Sequence, residues 1–268
     1  VEVIGPVAPG AGVQPAGSLA RPGRVLLERS RIVAAAALPL LVAAGVGCVP
    51  VHRRPVARLV VATGEDTGDG LMLAALVARD GATVETREAD GEDGLARALA
   101  EPGADLVIIV GRSGFGRRDV APLALARAGS CAIHGVALQP GTSAALGRVG
   151  AAMVLITPGA PAECFASYVL LGRAIVRGLA GRGLAGRGLA GRDPGAGGRR
   201  VVLARKIVSE AGFTELVPIR LGSGGATAVA SAATADALAL AQAEGFAVLA
   251  EAVEGLVAGA EAATLDCA

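Results

Sequence analysis

The stretch GRSGFGRRD, Gly111 to Asp119, follows the apolar run ADLVIIV and places glycines at 111, 114 and 116. A backbone so free of side chains can approach a ligand closely. Arg112, Arg117 and Arg118 supply charge that an anion would meet. Asp119 is either a metal or ligand contact or the N-cap of the next helix, VAPLALARAG. Glu65 and Asp66, in the turn TGEDTG, could hold a divalent cation through carboxylate oxygens or stand as solvated turn residues. Ser113 has no base near it in sequence, so it reads as a hydrogen-bonding hydroxyl and not a nucleophile. His134, in AIHGVAL, reads as a satisfied strand position. With His52 as the only other imidazole, H-E-x-x-H is absent and a Ser-His-Asp triad is disfavoured.

The elements that would carry these residues alternate between short apolar runs and amphipathic ones. VARLVVAT, ATVETREA, ADLVIIV, AIHGVAL and AAMVLIT read as strands. GLMLAALVARDG, DGLARALAEPG, VAPLALARAG and PAECFASYVLLGRAIVRGLAG read as helices. Runs that are almost continuously apolar mean strands covered on both faces, as in a parallel sheet of an α/β domain. Ligands of such sheets bind beyond the carboxyl ends of the strands, so the loops after Val61, Val110, Leu138 and Ile156 are the places to look.

Four segments follow. Residues 1–55 read as a partial β-rich segment with a connecting helix from Ile32 to Ala44. Residues 56–180 form the α/β domain. Residues 181–200, which include most of the five-residue repeat RGLAGRGLAGRGLAGR, form a Gly/Arg-rich linker. Residues 201–268 are a small β-rich domain, with strands in RRVVLARKIVS, TELVPIRLGSG and GFAVLAEAV and a helix over Thr234 to Glu244.

Composition narrows the function classes. Of 268 residues 53% are hydrophobic and 2% aromatic, so the core is built from Ala, Val, Leu and Ile. A net charge of +1 gives no overall field for a polyanion, and the Arg-rich repeat lacks aromatics for stacking, so nucleic acid is not an expected partner. The 4 cysteines form no C-x-x-C pair and read as thiols of a reducing cytoplasm. Ile32 to Val51 is long enough to span a membrane, but Pro39, Pro50 and the glycines favour a buried helix and a turn entering a strand. No signal peptide is visible.

In this order the loops resemble those of the MoeA family, the molybdopterin molybdenumtransferases. VPVHRRPVARLVVATGEDTG is similar to the family's entry into its central domain. ADLVIIVGRSGFGRRDV resembles its strand and S-G-G-V-S-V-G-x-x-D loop, and GVALQPGTSAALG its K-P-G-K-P-x-x-x-G segment. LITPGAPAECFASYVLLGRAIVRGLAG resembles its L-P-G-N-P-V-S loop and long helix. The C-terminal stretch resembles its last β domain.

The resemblance implies a Mog/MoeA-like α/β fold with a mostly parallel sheet flanked by helices, plus a small C-terminal β-rich domain. It implies binding of molybdopterin, free or adenylylated, release of AMP with Mg²⁺, and insertion of molybdate. The sulfur ligands would belong to the pterin, so no cysteine cluster is needed. Carried over residue by residue, it puts the pterin at Gly111, Arg112, Ser113, Gly114, Gly116, Pro140, Gly141, Thr142, Pro158, Gly159 and Pro161. Asp119 and Asp90 become catalytic and Glu65 and Asp66 metal-binding. Both family lysines are replaced, by Gln139 and Thr142, the family asparagine is Ala160, and a family glycine is Arg112. The replaced cations favour an alternative, a non-catalytic carrier or regulator of the cofactor. The implied partners are a molybdoenzyme or another cofactor-biosynthesis protein and a second copy of the chain. The N-terminal half, which closes the family's site, is expected to be missing here.

Overall fold

The computed structural model describes residues 5–6, 8–29, 31–62, 68–181 and 199–265. The repeat from 182 onward, the linker to 198, Glu65, Asp66 and Cys267 lie outside the described residues. The chain divides into two compact units, residues 1–52 and 53–268.

In the first unit the described residues form turns, a 3-10 turn at Ala35–Ala37 and helix α1, Leu38–Ala43. The expected strands before residue 30 are not found among them. The expected helix over Ile32 to Ala44 is reduced to α1, with Pro39 in its first turn, where a missing N–H costs nothing. Only Leu41 of α1 is buried, while Val42 and Leu38 are exposed, so the expectation of a buried helix does not hold. Among the described residues, 46–55 form no strand. No described helix is long and apolar enough to cross a membrane.

The second unit begins with strand β1 (Val56–Ala62), helix α2 (Asp69–Asp80), β2 (Thr83–Ala89), α3 (Gly91–Ala100), β3 (Leu106–Val110) and α4 (Ala121–Ala128). It continues with β4 (Ser130–His134), β5 (Leu138–Gln139), β6 (Ala145–Val149), β7 (Ala152–Thr157), α5 (Pro161–Ser167), a π-turn over Tyr168–Gly172 and α6 (Arg173–Leu179). The sheet order is β2-β1-β3-β7-β6-β4. The first four strands are parallel, and β6 and β4 add to the β7 edge antiparallel. All five residues of central β3 are buried, as a strand covered on both faces requires. Each such Leu, Ile or Val contributes roughly 1.5–3 kcal/mol by leaving water.

The remaining chain forms β8 (Arg200–Val202), β9 (Ile207–Val208), β10 (Thr214–Gly222), β11 (Gly225–Ala228), α7 (Ala237–Gln242), β12 (Gly245–Leu249), β13 (Gly255–Leu256) and β14 (Glu261–Leu265). Its main sheet runs β11-β10-β12-β14-β8, and β5 joins it by pairing parallel with β10, Leu138 against Thr214. One apolar cluster links the two sheets, running from Leu73, Leu155 and Phe165 to Leu216, Phe246 and Val248. Within it the rings of Phe165 and Phe246 lie 4.6 Å apart.

The end of the parallel sheet at which α2 finishes is closed by a buried charge cluster. The Asp80 carboxylate accepts from the Tyr168 hydroxyl at 2.8 Å, from Arg173 Nε at 3.2 Å and from Arg177 Nε at 2.9 Å. The π-turn makes this geometry possible, since i→i+5 spacing brings Tyr168 and Arg173 over one another. Burial, reinforced by the Asp80 charge, pushes the Tyr168 hydroxyl well above its ordinary pKa, so it stays a donor. At the same end Asp105 receives the Arg53 guanidinium and the Val56 N–H.

Candidate functional site

Four segments meet at the opposite end of the sheet. The turn after β3 opens with Gly111, at φ +86°, whose N–H donates to the Thr157 carbonyl at the end of β7. Arg112 follows in the left-handed region at φ +59°, and its carbonyl accepts from Ala121 N–H in the first turn of α4. An L-residue there costs roughly 1–2 kcal/mol. The backbone has therefore kept the conformation a glycine would adopt, at the position where the resemblance has one.

Ser113 is buried, and its hydroxyl shares a 2.9 Å hydrogen bond with that of Ser143. The expectation of a hydrogen-bonding hydroxyl holds. His134, at the end of β4, uses Nε2 to donate to the Ser113 carbonyl at 2.8 Å. Its ring stacks on Phe115, with centroids 4.7 Å apart. Asp119 does not cap α4: the N-cap is Val120, without a side-chain bond. Instead Asp119 turns back on its own loop and accepts from Gly116 N–H at 2.8 Å. A methyl group at Gly114 would stand 2.7 Å from Asp119 Oδ2 and would push that carboxylate aside. Among the described residues the N–H groups of Gly114, Phe115, Arg117 and Arg118 donate to no protein acceptor. A run of unused amides beside arginines suits an anion.

The segment Pro140, Gly141, Thr142 forms the third wall. Val136 N–H donates to the Thr142 carbonyl and Ala144 N–H to that of Gly141. Gly141, at φ +119°, packs on α5, where an added Cβ would lie 2.7 Å from Ser167 Oγ and 3.2 Å from the Glu163 carbonyl. Ser167 Oγ is buried there with no hydrogen-bond partner. The fourth segment is Pro158, Gly159 and Ala160, leading into α5 with Pro161 in its first turn. Under it, Thr157 Oγ1 lies 3.4 Å from Cys164 Sγ, and burial pushes this thiol up to about 12. Cys164 is therefore a structural thiol. Burial also raises the half-exposed Glu163 carboxyl above its ordinary pKa.

The structure thus gathers Gly111, Arg112, Ser113, Gly114, Gly116, Asp119 and the Pro140–Thr142 turn, with Pro158, Gly159 and Pro161 alongside. Asp90 stands apart, exposed at the N-cap of α3 beyond the edge strand β2. Among the described residues no group of three His, Cys, Asp or Glu could hold a metal ion. The metal-binding expectation for Glu65 and Asp66 falls outside the described residues.

A cleft of about 510 Å³ opens beside this cluster, between the starts of α2 and α5 and the α7–β12 segment. Asp69, Met72, Phe165, Leu240, Glu244 and Phe246 line it, and Pro161 is shared with the expected site. Sequence reading missed these residues as a cleft lining, and Met72 also packs against the core. The long apolar run of α5 was legible, but its contact with α7 joins segments far apart in the chain. Ser143 and Phe115 were missed for the same reason, since their partners lie on other elements.

Residues 59–178 match a family described as "Probable molybdopterin binding domain". No curated protein matches the sequence. Among solved structures, a molybdenum cofactor biosynthesis protein from Pyrococcus furiosus is 24% identical with a TM-score of 0.71, over 92% of this chain and 81% of that one. Two molybdopterin biosynthesis moeA structures from Pyrococcus horikoshii are 22% and 20% identical, with TM-scores of 0.72 and 0.67. This chain spans 64% and 62% of their lengths. Residues 59–178 are thus similar to a molybdopterin-binding family, and the fold over 92–93% of the chain is the one shared by these Pyrococcus structures.

Proposed function

We propose that the protein acts in molybdenum cofactor biosynthesis as a MoeA-type molybdopterin-binding protein. One observation carries this reading. Within the segment that matches the molybdopterin-binding family, the loop after β3 offers unused amides and arginines beside a glycine-lined turn. A phosphorylated pterin needs such a cradle, because donors already aimed at an anion need no reorganisation on binding. In this reading Gly111, Arg112, Ser113, Gly114 and Gly116 hold the phosphate side, and Pro140, Gly141, Thr142, Pro158, Gly159 and Pro161 border the ring. Asp119 and Asp90 would act at the reacting group, and Glu65 and Asp66 would serve the ion. The described residues alone do not make a Mg²⁺ site, so no step is assigned to that ion.

A second reading, a carrier or regulator that binds the cofactor without turnover, is favoured by Gln139 and Thr142. Neither supplies the cation that would offset phosphate or molybdate. Calorimetric titration of the purified chain with molybdopterin and its adenylylated form tests both. Micromolar binding is expected, and its absence removes the proposal. Release of AMP on adding Mg²⁺ and molybdate then marks a transferase, while binding without release marks a carrier.

A further inference from the structure

Among the four phenylalanines and one tyrosine of the chain, Phe115 is the one that is exposed, at 77%. It sits on the strand-end loop itself, at the position where the resembling loop has valine. One face of its ring is covered by His134, at a centroid distance of 4.7 Å and an interplanar angle of 25°. The exposure therefore belongs to the other face. His134 is itself tied by the bond from Nε2 to the Ser113 carbonyl, two residues before Phe115, so the imidazole links the ring to its own loop. Arg117 and Arg118, both exposed, follow at once, and the amides of Phe115, Arg117 and Arg118 have no acceptor among the described residues.

We infer that Phe115, backed by His134, is a stacking platform for the planar heteroaromatic ring of the ligand, with Arg117, Arg118 and the loop amides taking its anionic end. The inference rests on the molybdopterin reading for the identity of the ring, though the platform itself requires only a flat π-system joined to an anion. An aromatic face already held in place loses little freedom on binding, and a heterocycle stacked on it displaces water from both surfaces. His134 is a positioning residue: it touches the platform and not the ligand.

The test uses the full chain and three probes: 6-carboxypterin, AMP and inorganic phosphate. Because the chain has no tryptophan, quenching of pterin fluorescence reports ring contact directly. Phe115→Leu keeps an apolar side chain and removes the π-face. As an exposed change it leaves the melting temperature within about a degree. It is expected to weaken 6-carboxypterin roughly tenfold and to leave phosphate unchanged, while Phe115→Trp retains ring binding. His134→Ala weakens ring binding in the same direction and adds little to Phe115→Leu.

Wild-type affinity for 6-carboxypterin in Phe115→Leu overturns the platform and leaves the molybdopterin reading standing. Phe115-dependent binding of AMP without binding of 6-carboxypterin upholds the platform and removes the pterin. Failure of the wild-type chain to bind either ring compound overturns the platform outright.

Discussion

The two ends of the parallel sheet differ in how they use a carboxylate and a loop, although beside Asp80 the Arg173 Nη2 is buried without a hydrogen-bond partner. At the end where α2 finishes, Asp80 is buried and accepts from Tyr168, Arg173 and Arg177. Its hydrogen-bonding capacity is consumed within the protein. At the other end the loop after β3 keeps amides without acceptors among the described residues, a non-glycine residue at positive φ and an exposed phenyl ring. The first end suits stability, and in the proposed reading the second suits an outside molecule. The difference separates them without reference to any relative, because strain and unmet donors persist only where the rest of the fold supports them.

Substitutions can break this comparison. The largest effect is expected from Asp80→Ala, which leaves Arg173 buried without its partner and should cost about 3–5 kcal/mol in urea unfolding. A loss below about 1 kcal/mol would place Asp80 with the surface ion pairs and dissolve the contrast. Gly141→Ala should cost about 1–3 kcal/mol, because the new methyl meets Ser167 Oγ at 2.7 Å and the backbone sits at φ +119°. Gly150→Ala, also at positive φ but in open space, isolates the strain from the collision and should cost about 1 kcal/mol. Equal losses at the two positions would show that Gly141 is not closely packed on α5.

The smallest effect concerns acid. The Arg53 guanidinium, helped by the Val56 N–H, holds the Asp105 carboxyl below its ordinary range. A carboxyl depressed in the folded state stabilises it above the unfolded pKa, and that contribution fades as pH falls through the folded value. Melting temperatures measured from pH 6 down to pH 3 should fall less steeply in Asp105→Asn than in wild type. The pair is exposed on the arginine side, so the difference will be modest.

Much of this architecture is legible in the sequence where burial acts on a contiguous run. β3 and most of β7 announce themselves as apolar stretches, β1 does so despite Arg58, and α2 buries Leu73, Leu76 and Val77 at helical spacing. β6 was not legible, because Gly147 and Arg148 interrupt its pattern. Gly147 is needed for close approach, since a Cβ there would collide with the Ser130 carbonyl. In the site, the glycines and Asp119 could be singled out from their spacing. The direction of Asp119 toward Gly116 could not, and neither could the pairing of Ser113 with Ser143 or of Phe115 with His134. Those depend on which loops the sheet order makes neighbours, and local propensity carries no record of that. α1 failed in the other direction: an alanine-rich run looked helical throughout, but Leu41 is its one buried side chain.

The short strand β5 has a mechanical meaning. Leu138 and Gln139 lie beside Thr214 and Glu215, and Thr214 N–H is bonded to the Ala137 carbonyl at 2.9 Å, one residue before the strand that leads into Pro140, Gly141 and Thr142. The C-terminal sheet therefore grips the root of the turn that walls the site. Tilting that sheet would move the turn directly, with no residue of the turn itself being altered.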